Sequence, residues 1–170
     1  LLAARGDDAM VLAGGQSLMP ILAFRMASPG LLVDLKNLPG LDGIDLDDKG
    51  VRLGARVRWC DIERHEGLAT AHPLLVEATR HIAHYQIRNR GTVGGSLALA
   101  DPAAEMPGIA VACDAELVVF GPGGERIVQA ADFFHGPMTT DLSPDEILTL
   151  SSSLNQWDVM ALLGKTWSTS

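Results

Sequence analysis

The chain has 170 residues, 47% hydrophobic and 20% charged, with a formal charge of −8. That composition belongs to a packed protein of one domain or two small lobes and excludes a disordered chain. The acidic balance argues against a nucleic-acid groove, which needs a basic face to displace counterions, and two cysteines, Cys60 and Cys113, are too few for the four thiolates of an ordinary iron–sulfur cluster.

In chain order, Leu1 to Arg5 reads as the last turn of a helix, stopped by Gly6 and Asp7-Asp8. Ala9 to Ala13 reads as a short buried strand and runs into the glycine pair Gly14-Gly15. Ser17 to Met26 is a short helix or an irregular segment, since Pro20 is tolerated only in a first turn. Strands are expected at Leu31 to Leu35, Leu41 to Leu46 and Val51 to Ala55, the last two joined by an acidic turn over residues 47–50. Helices are expected at Asp61 to His65 and at Pro73 to Ala83, the second with Pro73 at N1 and apolar residues at near-helical spacing. A second glycine pair, Gly94-Gly95, follows Arg88-Asn89-Arg90-Gly91. Asp101-Pro102 signals a helix start, with the helix proper running from Pro107 to about Cys113. Glu116 to Gly121 and Arg126 to Ala130 flank Pro122-Gly123-Gly124 as a β-hairpin. Asp132 to Phe134 begins a short turn, and Ser143 to Glu146 leads into the apolar stretch Ile147 to Leu150. The expectation is an α+β chain in two lobes, residues 1–53 and 54–150, with 151–170 as an atypical tail. No segment has the length of a membrane span, and no basic-then-apolar leader is visible. The cysteines read as buried free thiols in a reducing cytoplasm.

The two glycine pairs carry the functional signal. Ala13-Gly14-Gly15-Gln16-Ser17-Leu18 and Thr92-Val93-Gly94-Gly95-Ser96-Leu97 each offer backbone N–H groups unobstructed by Cβ, followed by a hydroxyl. Two such turns could grip both phosphates of one dinucleotide; the blander alternative is two ordinary tight turns. Neither is a P-loop, since no G-x-x-x-x-G-K-[ST] is present, and neither is the G-x-G-x-x-G fingerprint. On this reading valine at Gly94 or Gly95 blocks the phosphate without unfolding the chain. Arg88 and Arg90 stand for an ion pair with an acidic neighbour or for a contact to phosphate or a partner. Glu105 either complements a helix dipole or accepts from a ribose diol. Tyr85, the lone tyrosine, is core or lies against a flat ring. His81 and His84, at i and i+3, read as ordinary surface histidines; no metal site and no hydrolytic triad is expected.

The strings V-L-A-G-G-Q-S-L-M-P-I-L (Val11 to Leu22), L-V-D-L (Leu32 to Leu35) and Q-I-R-N-R-G-T-V-G-G-S-L-A-L-A-D-P-A-A-E (Gln86 to Glu105) closely resemble the FAD-binding medium subunit of the molybdenum hydroxylases. The carbon monoxide dehydrogenase medium-subunit type is the best match, related to the flavin domain of xanthine dehydrogenase; D-F-F-H-G-P-M-T-T-D-L-S-P-D-E-I-L (Asp132 to Leu148) also fits. The resemblance covers about residues 1–150 and implies the two-lobed α+β FAD-binding (PCMH-type) fold shared with vanillyl-alcohol oxidases. It implies that Ala13, Gly14, Gly15, Gln16, Ser17 and Leu18, with Thr92, Val93, Gly94, Gly95 and Ser96, wrap the pyrophosphate of FAD. It places Glu105, where the family usually has Asp, at the adenosine ribose, and Ile82 or Ala83 with Ile147 or Leu148 against the adenine or flavin.

The resemblance further implies partners. A large subunit carries the molybdenum cofactor, a small subunit carries [2Fe–2S] clusters, and electrons reaching FAD pass to NAD, a quinone or oxygen. No catalytic side chain is expected on this chain, because the flavin carries the electron chemistry. Measured against the family pattern, the chain is expected to be truncated at both ends, lacking an N-terminal strand and helix and the C-terminal region. Two other readings stand beside this one: a flavin-free remnant serving as an interaction module, and a stand-alone flavin oxidoreductase.

Overall fold

The computed structural model of the chain describes residues 1–48 and 50–154; the remainder of the expected tail, 155–170, lies outside the described residues. A short helix α1 (Leu2–Arg5) precedes strand β1 (Ala9–Leu12), helix α2 (Leu18–Ala23) and strand β2 (Leu31–Asp34). Strands β1 and β2 pair in parallel, from Ala9↔Leu31 to Leu12↔Asp34, with α2 as the crossover. A parallel pair needs such a crossover, and the turn leaving the carboxyl end of its first strand is where ligands gather in α/β units. Gly14-Gly15 occupies that turn, with Gly15 at φ +73°, a left-handed conformation that suits glycine.

Strands β3 (Ile44–Asp47) and β4 (Gly50–Gly54) follow. Helices α3 (Trp59–Arg64), α4 (Leu68–Ala71), α5 (Pro73–His81), α6 (Tyr85–Arg88), α7 (Val93–Leu99) and α8 (Glu105–Ala112) come next. The hairpin β5 (Glu116–Gly121) and β6 (Gly124–Gln129), helix α9 (Ala130–Phe133), and strands β7 (Phe134–Gly136), β8 (Thr139–Thr140) and β9 (Ile147–Leu154) complete the described fold. The main sheet has the order β3-β4-β9-β5-β6 and is antiparallel throughout.

That order corrects two expected boundaries. Residues 44–54 hydrogen-bond into the second sheet, so the change of sheet lies between Asp34 and Ile44 and not at residue 53. Residues 151–154 are no appendage either. They continue β9, the central strand, where Leu53 and Leu117 both pair with Ser151.

The core lies between the inner face of this sheet and the helices. Val51 and Leu53 of β4 and Leu117 and Val119 of β5 meet Ile62, Leu75, Leu97 and Met106 from the helical side. Each such side chain contributes about 1.5–3 kcal/mol by leaving water. Phe133 closes one edge of this core, fully buried, with its ring edge-on to Phe134 at a centroid distance of 5.1 Å. Pro73 starts α5 as expected, and the buried His72 caps it: Nδ1 accepts the N–H of Leu75 at 3.1 Å. Burial pushes the His72 pKa down, which keeps the ring neutral and able to accept. Cys60 and Cys113 are buried free thiols, and burial raises the pKa of both. No helix among the described residues is long and apolar enough to cross a membrane.

Candidate functional site

A cleft of about 640 Å³ runs between the β1–α2 turn, helices α7 and α8, the corner after α5, and the segment leading into β9. That volume lies within the usual range of a small-molecule or cofactor site. Of the residues singled out from sequence, Ala13, Gly14, Gly15, Gln16, Ser17, Leu18, Ile82, Ala83, Thr92, Gly94, Gly95, Ser96, Glu105 and Leu148 all line it. Segments up to 135 residues apart in sequence thus share one wall system, Ala13 to Leu148. Val93 does not: its side chain is fully buried in the core, beneath α7.

The two glycine pairs turn out to differ in kind. The backbone N–H groups of Gly14, Gly15, Gln16 and Ser17 donate to none of the described residues. They form a set of open donors at the end of β1, where successive N–H groups make an anion-binding concavity. Gly94-Gly95 is no free turn but the first turn of α7. Thr92 caps that helix, its Oγ1 accepting the N–H of Gly95 at 3.2 Å. Val93 N donates to Val57 O at 2.9 Å, Gly94 N to Ala55 O at 2.8 Å and Ser96 N to Thr92 O at 3.1 Å. The N–H groups of Val93, Gly94, Gly95 and Ser96, expected to be open, are therefore engaged within the fold. Sequence could not show this, because Thr-x-x-Gly is equally a loop and a capped helix start.

The glycines have a second reason to be there. A Cβ on Gly14 would overlap the carbonyl oxygen of Arg90, and one on Gly94 would sit 2.8 Å from Ala55 O and 2.5 Å from Ala55 Cβ. A Cβ on Gly95 would lie 3.7 Å from Ala13 Cβ. The first turn is thus seated directly on the 90–95 segment, and the absence of side chains permits that approach.

Other polar side chains of the cleft include the hydroxyls of Ser17, Ser96 and Ser143, the Gln16 amide and the carboxylates of Asp101, Glu105 and Glu146. Glu105 is the first residue of α8 and makes no hydrogen bond to the described residues, whereas Asp101 Oδ1 accepts the N–H of Ala103 at 2.8 Å. No Lys, Arg or His is among the described residues lining the cleft. An anion bound there is held by main-chain donors, consistent with a chain of net negative charge. The two arginines beside the second segment do not change this. Arg88 is paired with Glu63, Nε to Oε1 3.0 Å, which decides for the ion-pair alternative. Tyr85, 63% exposed at the start of α6, is not core.

Sequence reasoning missed the wall formed by Leu142, Ser143 and Pro144, and also Trp59, Ile87 and Asp101. The 142–144 segment lies inside the string Asp132 to Leu148, but nothing in that string assigns it to the site. It reaches the cleft because Glu146, 14% exposed, is gripped by Arg126 of β6, a pairing across twenty residues. Arg126 Nε and Nη2 donate to the two Glu146 oxygens at 2.8 and 2.7 Å, and Nη2 also donates to Asp141 O at 2.7 Å. Glu146 Oε2 accepts the N–H of Ser143 at 2.9 Å. These bonds, the Arg126 pair foremost, hold the Glu146 pKa down to about 2.

Residues 1–150 match the family described as the FAD binding domain in molybdopterin dehydrogenase. The nicotine 6-hydroxylase medium subunit of Paenarthrobacter nicotinovorans is 42% identical over 154 residues, 89% of this chain and 54% of that protein. Among solved structures, quinoline 2-oxidoreductase from Pseudomonas putida 86 superposes with a TM-score of 0.82 at 41% identity, over 85% of this chain and 50% of that one. Carbon monoxide dehydrogenase from Hydrogenophaga pseudoflava superposes with a TM-score of 0.85 at 38% identity, over 88% and 53%. The chain spans about half the length of the relatives it matches. With its paired glycine segments, open donor turn and mixed helix-and-strand architecture in place, the chain belongs to the family of FAD-binding domains of the molybdopterin dehydrogenases.

Proposed function

We propose that this chain binds FAD in the cleft and serves as the flavoprotein part of a multi-subunit molybdenum hydroxylase. In that assembly a large subunit carries the molybdenum cofactor and a small subunit carries [2Fe–2S] clusters. FAD, when bound, supplies the step that collects electrons and passes them to NAD, a quinone or oxygen. The two buried free thiols fit a reducing compartment, and the cytoplasm is part of the proposal.

The observation that carries the reading is the set of open N–H donors at Gly14 to Ser17 in a cleft that no basic side chain lines among the described residues. Such a site holds a pyrophosphate through the main chain. The Ser17 and Ser96 hydroxyls are placed to add donors, and Thr92, Gly94 and Gly95 hold α7 close enough for Ser96 to share the cleft. Glu105 is free to accept from the adenosine ribose. Ile82, Ala83 and Leu148 offer apolar surface for a ring system and exclude water from it.

Competition binding tests the reading. FAD is expected to bind at least tenfold more tightly than FMN, about 1.4 kcal/mol, because FMN lacks the second phosphate and the adenosine. Equal affinities sink the assignment. Glu105→Ala is expected to weaken FAD by about 1.5–3 kcal/mol, the value of a hydrogen bond to a charged group, and to leave FMN unchanged. Titration of both flavins against wild type and variant reads this directly, and a matching loss for FMN removes Glu105 from the ribose.

A further inference from the structure

We propose that Arg88 is a positioning residue for the cofactor cleft, holding the left-handed corner at Ala83 that forms part of its wall. This rests on the FAD reading above and assigns Arg88 a task that neither a surface ion pair nor a phosphate contact would give it.

The chain leaves α5 at Ile82 and turns at Ala83, which has φ +40°. A residue with a Cβ rarely adopts that conformation and keeps it only where its surroundings enforce it. Both residues line the cleft, so the turn fixes a stretch of its wall. The enforcing group is the Arg88 guanidinium. Arg88 Nη1 donates to Ile82 O at 3.1 Å and to Ala83 O at 3.2 Å. Its Nε stands 3.0 Å from Glu63 Oε1 on α3, and the side chain is only 19% exposed.

The electrostatics agree. The Ile82 and Ala83 carbonyls lie just past the carboxyl end of α5, a place where a cation such as a guanidinium is favoured by the negative pole of the helix. Glu63 balances the charge and keeps the guanidinium from swinging out to water. Arg88 therefore links α3, the end of α5 and α6 at one point, with its own α6 neighbour Ile87 facing the cleft. The guanidinium meets the two carbonyls through Nη1 and Glu63 through Nε; a lysine in its place would bring one nitrogen to all three partners and could not keep that geometry.

The experiment is an FAD titration of the 170-residue chain as wild type, Arg88→Ala, Arg88→Lys, Ala83→Gly and the double variants. Glycine adopts positive φ without strain but takes one methyl from the cleft wall, so Ala83→Gly alone sets the background Kd against which its double variants are read. Arg88→Ala is expected to raise Kd about tenfold, as for lost charge-assisted bonds, and Arg88→Lys to raise it by less. The decisive readout is rescue: Arg88→Ala with Ala83→Gly is expected to recover most of the lost affinity, because the corner no longer needs holding. If circular dichroism shows that Arg88→Ala does not fold, Arg88→Lys with and without Ala83→Gly gives the same comparison. Absence of rescue, or an Arg88→Ala variant that binds like wild type, overturns the proposal while leaving FAD binding intact. A wild-type chain that takes up no FAD overturns the cofactor reading and this proposal with it.

Discussion

Gly94→Val is expected to destabilise the fold by about 3 kcal/mol or more, and Gly15→Val to cost FAD before it costs the fold. Gly94 is buried at the start of α7, where the helix rests on the backbone of Ala55. A side chain there meets Ala55 Cβ at 2.5 Å and Ala55 O at 2.8 Å, and backbone yields far less readily than the end of a flexible side chain. Helix propensity works the other way, favouring almost any residue over glycine by up to about 1 kcal/mol, but overpacking outweighs it. Gly15 faces a softer obstacle. Its Cβ would meet Met19 Cγ at 3.2 Å and Leu12 Cδ1 at 3.3 Å, so the main cost is a β-branched residue at φ +73°, about 1–3 kcal/mol. Relief of that strain rotates the peptide and disperses the open donors. Thermal unfolding of the unloaded chain with an FAD titration separates the two. If Gly94→Val melts like wild type yet loses FAD, the second glycine pair is a phosphate cradle after all.

Local signals carried much of this fold. Pro73 at N1, the Pro122-Gly123 hairpin loop and the strand expected from Val51 are each decided within a few residues, and the structure follows them. The residues singled out from sequence, Val93 apart, come together along one cleft, because the glycine strings mark where backbone approaches backbone. What was not legible was set by distant partners. Whether Gly94-Gly95 is a turn or a helix start depends on Val57 and Ala55 accepting its N–H groups. Ser151 to Leu154 fall in the atypical tail because they depart from the family pattern, whereas their pairing with β4 and β5 makes them strand. The sheet boundary slipped for a like reason, since β3 and β4 are strands in any assignment and only their partners reveal the sheet.

Glu146→Gln is expected to lower stability by about 2 kcal/mol at pH 7, in the range of a partly buried charge-assisted pair, and this gap is expected to close in acid. The sign follows from the carboxyl. Its pKa falls from the ordinary 4.5 to about 2 in the fold, so folding favours the ionised form. The stabilisation is complete above about pH 4.5 and disappears as pH drops through the folded value. Asp141 shifts in the same direction, held down chiefly by Arg126, and steepens the acid loss of the wild type. In urea melts, the difference between wild type and Glu146→Gln should be constant from pH 7 to about pH 5 and under half its neutral value by about pH 3. A difference independent of pH would mean that Glu146 acts through packing alone. The same contact bears on the cleft. Arg126 does not line it, yet its loss frees Glu146, the Asp141 carbonyl and, through Glu146, the Ser143 N–H. Arg126→Ala is therefore expected to cost about 2–3 kcal/mol and to weaken FAD as the 142–144 wall loosens. Arg126→Lys should keep a charge without the fork and recover only part of both. Equal FAD affinity in wild type and Arg126→Ala would show that this wall stands without its clamp.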